Sequence, residues 1–190
     1  MGRLVVTEFV TLDGVAEDPG GAENFEHGGW AFQYERGPEG DTFKSQELEA
    51  ADAQLLGRVT YEGFARAWPN MNEDWFGRKM NEMPKHVVTS SALDPQWTNS
   101  SRLEGDLASG VAELKQRYDG DIIVAGSLRL AGALTEHDLV DEYRLMIYPV
   151  VLGSGKRLFA EPGPRRALSL REARPAGECL IAVYEPDRRA

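Results

Sequence analysis

Four short polar segments follow apolar runs of this sequence and carry residue types that bind anions. They are Asp13-Gly14, Gly57-Arg58, Ser90-Ser91 and Gly126-Ser127. Ligands of parallel sheets bind at the carboxyl ends of the strands, and a strand that leads directly into a helix leaves backbone N–H groups that favour negative charge. We therefore predict that these segments meet at one edge of a sheet and hold the phosphates of a cofactor.

Each segment also has a simpler interpretation. Arg58 has the planar, permanently charged group that suits a phosphate, and Thr60 adds a hydroxyl, but Arg58 is equally consistent with a solvated side chain after a turn. Ser90-Ser91 alone fits an ordinary turn, and Gly126-Ser127 alone is a short motif that permits close backbone approach. The dinucleotide-binding glycine pattern and the P-loop pattern are both missing, which argues against those two folds.

A glycine-rich segment with several aromatic residues follows the first predicted strand and extends to Gly40. Long loops of this kind are often functional because they can pack over a ligand. Trp30 and Tyr34 are candidates for the wall of a substrate pocket, or for a small core of the loop itself. Asp13, at the end of the first strand, is the first candidate for a polar group near the reacting atoms; the alternative is a turn-forming residue before Gly14.

Strand patterns alternate with helical patterns along the chain. Strands are predicted over 3–10, 53–56, 85–89, 122–125 and 140–148, with a short edge segment after the loop at 95–97. Helices are predicted from 41 or 42, from 60, over 72–83 and 106–118, and directly after Ser127. This alternation predicts an α/β domain with a mostly parallel sheet and helices on both faces. Residues 166–172 and 178–185 predict a closing antiparallel hairpin, and residues 1–190 are expected to form one domain.

Composition narrows the function classes. A net charge of −10 argues against a nucleic-acid surface, and no apolar run or leader pattern predicts membrane insertion. The single cysteine, Cys179, lies in an apolar run and is expected to be buried in a protein of the reducing cytoplasm. The three histidines lack the spacing of metal ligands. We expect a small-molecule partner and no metal.

The sequence resembles the dihydrofolate reductase-like superfamily, and more closely the reductase domain of bifunctional riboflavin-biosynthesis proteins and its stand-alone relatives. The resemblance rests on TLDGVA at 11–16, ADAQLLGRVTYE at 51–62, Gly126-Ser127, LVDEY at 139–143 and PVVLGSG at 149–155. This combination, in the order of the family, is far more specific than any one motif. It implies a three-layer fold around the sheet predicted above.

The resemblance also implies NADPH as the cofactor. In such reductases the glycine-arginine-x-threonine turn and the serine-bearing strand end hold the 2′-phosphate and neighbouring phosphates, and a late glycine pair holds the pyrophosphate. By this likeness the NADPH-binding residues are Gly57, Arg58, Thr60, Ser90, Ser91, Gly126 and Ser127. The second glycine of the late pair is a serine here.

The implied chemistry is hydride transfer to a C=N or C=O carbon, with 5-amino-6-(5-phosphoribosylamino)uracil as the riboflavin-type substrate. The alternative substrate is a pterin-like or folate-like molecule, for a reductase that has diverged from that pathway. Folate reductases place a carboxylate at the start of the first helix, and Asp41 has a similar spacing from Gly57. The tryptophan and proline that precede that carboxylate are missing, so folate reduction is not expected, and the interpretation of Asp41 as a helix cap is favoured over a catalytic one. The zinc-deaminase pattern is missing as well.

The main alternative to an enzyme is a protein that binds NADPH or a pterin-like ligand without turnover. A purely structural protein has little support. The expected assembly is a homodimer, as among relatives, formed through the terminal hairpin and the alternating 140–148 strand.

Overall fold

The computed structural model describes residues 1–159 and 163–187. The eight strands are β1 (Arg3–Thr11), β2 (Ala51–Gly57), β3 (Lys85–Val88), β4 (Ser100–Arg102), β5 (Asp121–Ala125), β6 (Glu142–Tyr148), β7 (Leu168–Ala176) and β8 (Cys179–Pro186). The helices are α1 (Gly37–Ala50), α2 (Arg58–Ala67), α3 (Trp75–Glu82), α4 (Leu107–Arg117) and α5 (Leu128–Glu136), with short 3-10 helices at Trp30–Gln33 and Trp68–Asn70.

The strands form one sheet in the order β4-β3-β2-β5-β1-β6-β8-β7. The first six strands in this order are parallel to their neighbours, and β8 is antiparallel to both β6 and β7. The mostly parallel sheet and the closing hairpin are therefore confirmed. β6 is hydrogen-bonded on both sides, by β1 and β8, so of the two segments expected in a dimer only β7 is a free edge.

Helices cover both faces of the sheet. Alternate β1 residues, including Leu4 and Val6, are buried together with Val111 of α4 and Leu130 of α5. On the opposite face, a second cluster combines Leu48 of α1, Tyr61 of α2 and Met80 of α3 with strand residues. A third cluster, beside β6 and β8, includes Trp30 and the buried Cys179. Among the described residues, no helix combines the length and apolar character that crossing a membrane requires.

The first helix starts earlier than its sequence pattern indicated. It begins at Gly37 with Pro38 in its first turn, where the missing proline N–H removes no helical hydrogen bond. Asp41 therefore lies inside the helix, and its favoured interpretation as a cap is wrong. The carboxylate instead accepts a hydrogen bond of 2.7 Å from Nε of Arg36.

Candidate functional site

The polar ends of β2 and β5 lie in contact at one edge of the sheet. Gly57 ends β2 and Gly126 follows β5, and these strands are parallel neighbours. A Cβ placed on Gly57 would lie 2.1 Å from Oγ of Ser127, and one on Gly126 would lie 3.1 Å from Cγ2 of Thr60. The structure thus brings four of the sequence-predicted cofactor residues together. We call Gly57, Thr60, Gly126 and Ser127 the cradle.

Two helices begin at the cradle without a side-chain cap. Gly57 is the N-cap of α2 and Ser127 the N-cap of α5, and neither helix has a capping side-chain hydrogen bond. By contrast, Asp74 and Asp106 cap α3 and α4 by accepting from backbone N–H groups. Because uncapped first-turn N–H groups and the helix dipole favour anions, the cradle presents two such ends at the same place.

The turn into α5 has an unusual backbone conformation. Gly126 has φ of 77° and Ser127 has φ of 62°, so two consecutive residues are left-handed. Glycine adopts this region readily, whereas serine in it is strained by about 1 kcal/mol or more. Strain of this kind persists only where the surrounding structure fixes it, and it is concentrated at ligand-binding sites. Turns that expose backbone N–H groups can form concave anion sites, so this turn suits a phosphate.

Arg58 extends the cradle towards the end of β3. Its guanidinium donates to Oγ of Ser91 through Nη1 and to Oε1 of Glu62 through Nε, the latter at 2.7 Å. The Arg58 side chain is 45% exposed, so a ligand can reach it. Ser90 is exposed beside Ser91. This edge therefore offers a guanidinium and serine hydroxyls next to the helix N-termini, a donor set that fits the phosphates of NADPH.

Glu8 is a site residue that the sequence reasoning missed. It lies on the apolar face of β1, between Val6 and Val10, and is 6% exposed. Its Oε1 accepts a hydrogen bond of 3.0 Å from the backbone N–H of Gly126. Burial raises the pKa of the Glu8 carboxyl to about 8. The sequence does contain a sign of this site, because Glu8 occupies a strand position whose neighbours on the same face, Leu4, Val6 and Val10, are all apolar.

Asp13 joins two loops beside this edge. Its carboxylate accepts from the Thr11 hydroxyl at 2.6 Å and from the N–H groups of Leu152 and Gly153 at 3.3 and 2.9 Å. The Thr11 hydroxyl, together with these N–H groups, lowers the pKa of Asp13. Asp13 is therefore ionised at neutral pH and acts as an acceptor that holds the turn at 149–155. A role near the reacting atoms stays a prediction.

A cleft of about 680 Å³ lies between α1 and the segment 68–77. Its lining includes Asp41 and Lys44 on one side and the aromatic rings of Trp68 and Phe76 on the other. Lys44 donates to Oγ1 of Thr7 on β1 at 2.7 Å and pairs with the buried Glu47. The cleft and the cradle are separate, but both are in contact with β1. Thr7 of β1 bonds to Lys44 beside the cleft, and the next residue, Glu8, bonds to Gly126 of the cradle.

The two aromatic residues predicted to form a substrate wall lie elsewhere. Trp30 is 1% exposed, and its indole N–H donates to the carbonyl of Glu17 at 2.9 Å. Trp30 and Tyr34 both pack edge-on against Tyr148. They pack the loop against the sheet, in the cluster beside β6 and β8, so neither a substrate wall nor a core confined to the loop describes their position. The rings beside the cleft are those of Trp68 and Phe76.

Sheet order, layers and hairpin together define a dihydrofolate reductase-like fold. Residues 3–181 match the RibD C-terminal domain family, so the chain belongs to that family. It is 28% identical over 183 residues to the uncharacterized protein YwjB of Bacillus subtilis (strain 168). The aligned region covers 96% of this chain and 97% of YwjB.

Two solved structures of similar fold cover almost the whole chain. A protein of Shewanella sp. PV-4 with a provisional riboflavin-biosynthesis name has a TM-score of 0.76 at 19% identity, covering 98% of this chain and 99% of that one. Dihydrofolate reductase from Enterococcus faecalis, complexed with NADP(H), has a TM-score of 0.57 at 14% identity, covering 98% and 97%. At these identities the similarity shows the fold alone.

Proposed function

We propose that this protein is an NADPH-dependent reductase that transfers hydride to a C=N or C=O carbon of a small heterocyclic substrate. The observation that carries the proposal is the cradle, where two uncapped helix N-termini meet beside Arg58 and Ser91. Membership of the RibD C-terminal domain family supports the same reaction class. Within that class, 5-amino-6-(5-phosphoribosylamino)uracil is the substrate we propose first.

Each group of residues has a distinct task under this proposal. NADPH, when bound, supplies the hydride. Arg58 binds the 2′-phosphate as a planar, charged donor, and the first-turn N–H groups of α2 and α5 bind the remaining phosphates. In the cleft, Trp68 and Phe76 pack against the flat ring of the substrate. Lys44 contacts Thr7 and Glu47, and its third ammonium N–H donates a hydrogen bond to the substrate.

Cofactor selectivity tests the proposal. The wild type should bind NADPH at least about tenfold more tightly than NADH, because one good charge-assisted contact contributes about 1.5–3 kcal/mol. Arg58→Ala should remove this preference and leave NADH affinity nearly unchanged. Both affinities can be measured by isothermal titration calorimetry.

Arg117→Ala is the matched control, since Arg117 is likewise exposed and paired with a glutamate one helical turn away, Glu113, on α4. It should retain the wild-type preference. If Arg58→Ala also retained that preference, the assignment of the 2′-phosphate to Arg58 would be wrong.

A second candidate function is NADPH binding without turnover. It is favoured by the state of the two predicted catalytic carboxylates, because Asp13 is held ionised and Asp41 is paired with Arg36. Oxidation of NADPH in the presence of the phosphoribosylaminouracil, pterins or cyclic imines separates the two functions. Steady loss of NADPH absorbance supports the reductase, and tight NADPH binding without any such loss supports the binding protein.

A further inference from the structure

Glu8 is a buried carboxyl on β1. Among the described residues, none forms a salt bridge with it, and the hydrogen bond that it accepts comes from Gly126. An ionised carboxylate in such surroundings costs several kcal/mol unless a cation compensates it, so the neutral form is favoured. Burial, the largest effect, raises the pKa of Glu8 to about 8.

The groups around Glu8 do not supply that compensation. Lys44 of α1 acts on it from a distance and favours ionisation, while Glu23 of the loop after β1 opposes it. Its neighbours on the adjacent strands, Leu145 on β6 and the Ala125-Gly126 end of β5, carry no charge. Arg129, in the first turn of α5, is exposed to solvent.

The Glu8 carboxyl lies directly behind the cradle. Gly126, whose N–H bonds to Glu8, has positive φ and precedes Ser127, the uncapped N-cap of α5. A phosphate bound at that helix end would lie on the opposite side of the same peptide turn. A neutral Glu8 holds the turn without repelling the phosphate, whereas an ionised Glu8 would add a negative charge in a region of low dielectric.

We propose that Glu8 is a positioning residue of the cofactor site, which fixes the Gly126 turn in its protonated form and weakens the binding of the nucleotide's phosphates when it ionises. The inference rests on the proposed function, because it requires that phosphates occupy the cradle. It predicts that binding raises the proton affinity of Glu8. NADPH binding near the pH at which free Glu8 titrates must then be accompanied by proton uptake.

Calorimetric titration of the full-length protein with NADPH tests this inference. At about pH 8 the wild type should take up a substantial fraction of one proton per NADPH bound, measured from the dependence of binding heat on buffer ionisation enthalpy. Its Kd should rise roughly fivefold to tenfold between about pH 7 and about pH 9, where the cofactor's own phosphates no longer titrate. Glu8→Gln keeps an oxygen that can accept from Gly126, and it should show neither effect.

Glu142→Gln is the control, since Glu142 is also a buried carboxylate but lies at the start of β6, where it pairs with Arg3 and Arg144. It should retain the proton uptake of the wild type. NADPH binding by the wild type without proton uptake, or the same uptake in Glu8→Gln, would overturn the role of Glu8 alone. Failure of the wild type to bind NADPH even at neutral pH would overturn the proposed function and this inference together. Since the proton count is measured on the wild type, the result stands even where Glu8→Gln folds poorly.

Discussion

At the scale of single residues, Gly57 shows how a missing side chain can define a site. Its φ of −76° is accessible to any residue, so backbone conformation does not require glycine there. What requires glycine is space, because an added Cβ would meet Oγ of Ser127 at 2.1 Å. The close approach of β2 to the α5 turn therefore depends on this position.

Gly57→Ala should weaken NADPH binding roughly tenfold or more, because relieving the contact must displace Ser127 from the cradle. Gly63→Ala is the matched control within α2, where an added Cβ meets no atom within 4 Å. It should leave affinity unchanged and stabilise the helix by up to about 1 kcal/mol. Equal NADPH affinities for the two variants would contradict the close-packed cradle.

Glu8 makes stability as well as binding depend on pH. Its pKa in the folded protein, about 8, lies above its unfolded value, so between these values the native state binds more protons than the unfolded state. The free energy of unfolding therefore falls as pH rises through that window. Glu8→Gln should gain about 3 kcal/mol relative to the wild type between about pH 5.5 and about pH 8.

Urea unfolding at these two pH values measures that gain. A wild-type and Glu8→Gln difference that stays constant with pH would show that Glu8 is ionised in the folded protein.

At the scale of elements, the loops around the site are held by carboxylates with charge-assisted hydrogen bonds. Asp13 connects the end of β1 to the turn at 149–155, and Glu17 accepts from the backbone N–H of Lys156 at 2.9 Å. An isolated bridge between Val15 and Arg157 adds backbone pairing. The PVVLGSG motif at 149–155 thus packs two loops together through its hydrogen bonds to Asp13.

Asp13→Ala should cost about 1–3 kcal/mol of stability, since it leaves the N–H groups of Leu152 and Gly153 without their acceptor. Hydrogen exchange should accelerate at 149–155 while NADPH affinity stays within about twofold. Asp119→Ala, at a fully exposed carboxylate, serves as the control and should change neither quantity. Unchanged exchange in Asp13→Ala would contradict the tethering role.

At the scale of the whole molecule, the edge of the sheet formed by β7 is poorly suited to pairing with a second copy. β7 is interrupted by a bulge between Leu170 and Glu172 and carries Pro175 as well as several charged side chains. These features oppose strand addition. We retain the homodimer as a proposal and expect its contact at another surface, where Leu12 and Val151 are 69% and 64% exposed on loops joined by a hydrogen bond from Leu12 to Val150.

Light scattering tests this arrangement. The double variant Leu12→Ser, Val151→Ser should shift a dimeric wild type towards the monomer mass, because it removes the apolar contact. Leu170→Ser on β7, where Leu170 is 56% exposed, should leave the mass unchanged. Dissociation caused by the β7 variant alone would place the contact at the sheet edge.

The sequence by itself determined which segments form strands and helices and which polar residues end the strands. It did so because hydrophobic periodicity and turn residues act locally, as shown by the buried Cys179 and by the face that Tyr61 shares with Phe64 and Trp68. The combination of short motifs also identified the family.

Only the tertiary structure decided which of these residues meet. The hydrogen bond between Glu8 and Gly126 joins residues 118 positions apart. It exists because β1 and β5 are neighbours in the sheet, although three other strands, β2, β3 and β4, lie between them in the chain. Likewise, Trp30 is the tryptophan that the sequence predicts for a substrate wall, yet Trp30 is buried beside β6 and β8 and Trp68 lines the cleft. Burial and partners depend on the packing of distant elements, which local pattern does not encode. For this reason the cleft beside α1 and the contact between Glu8 and Gly126 are evident only in the folded chain.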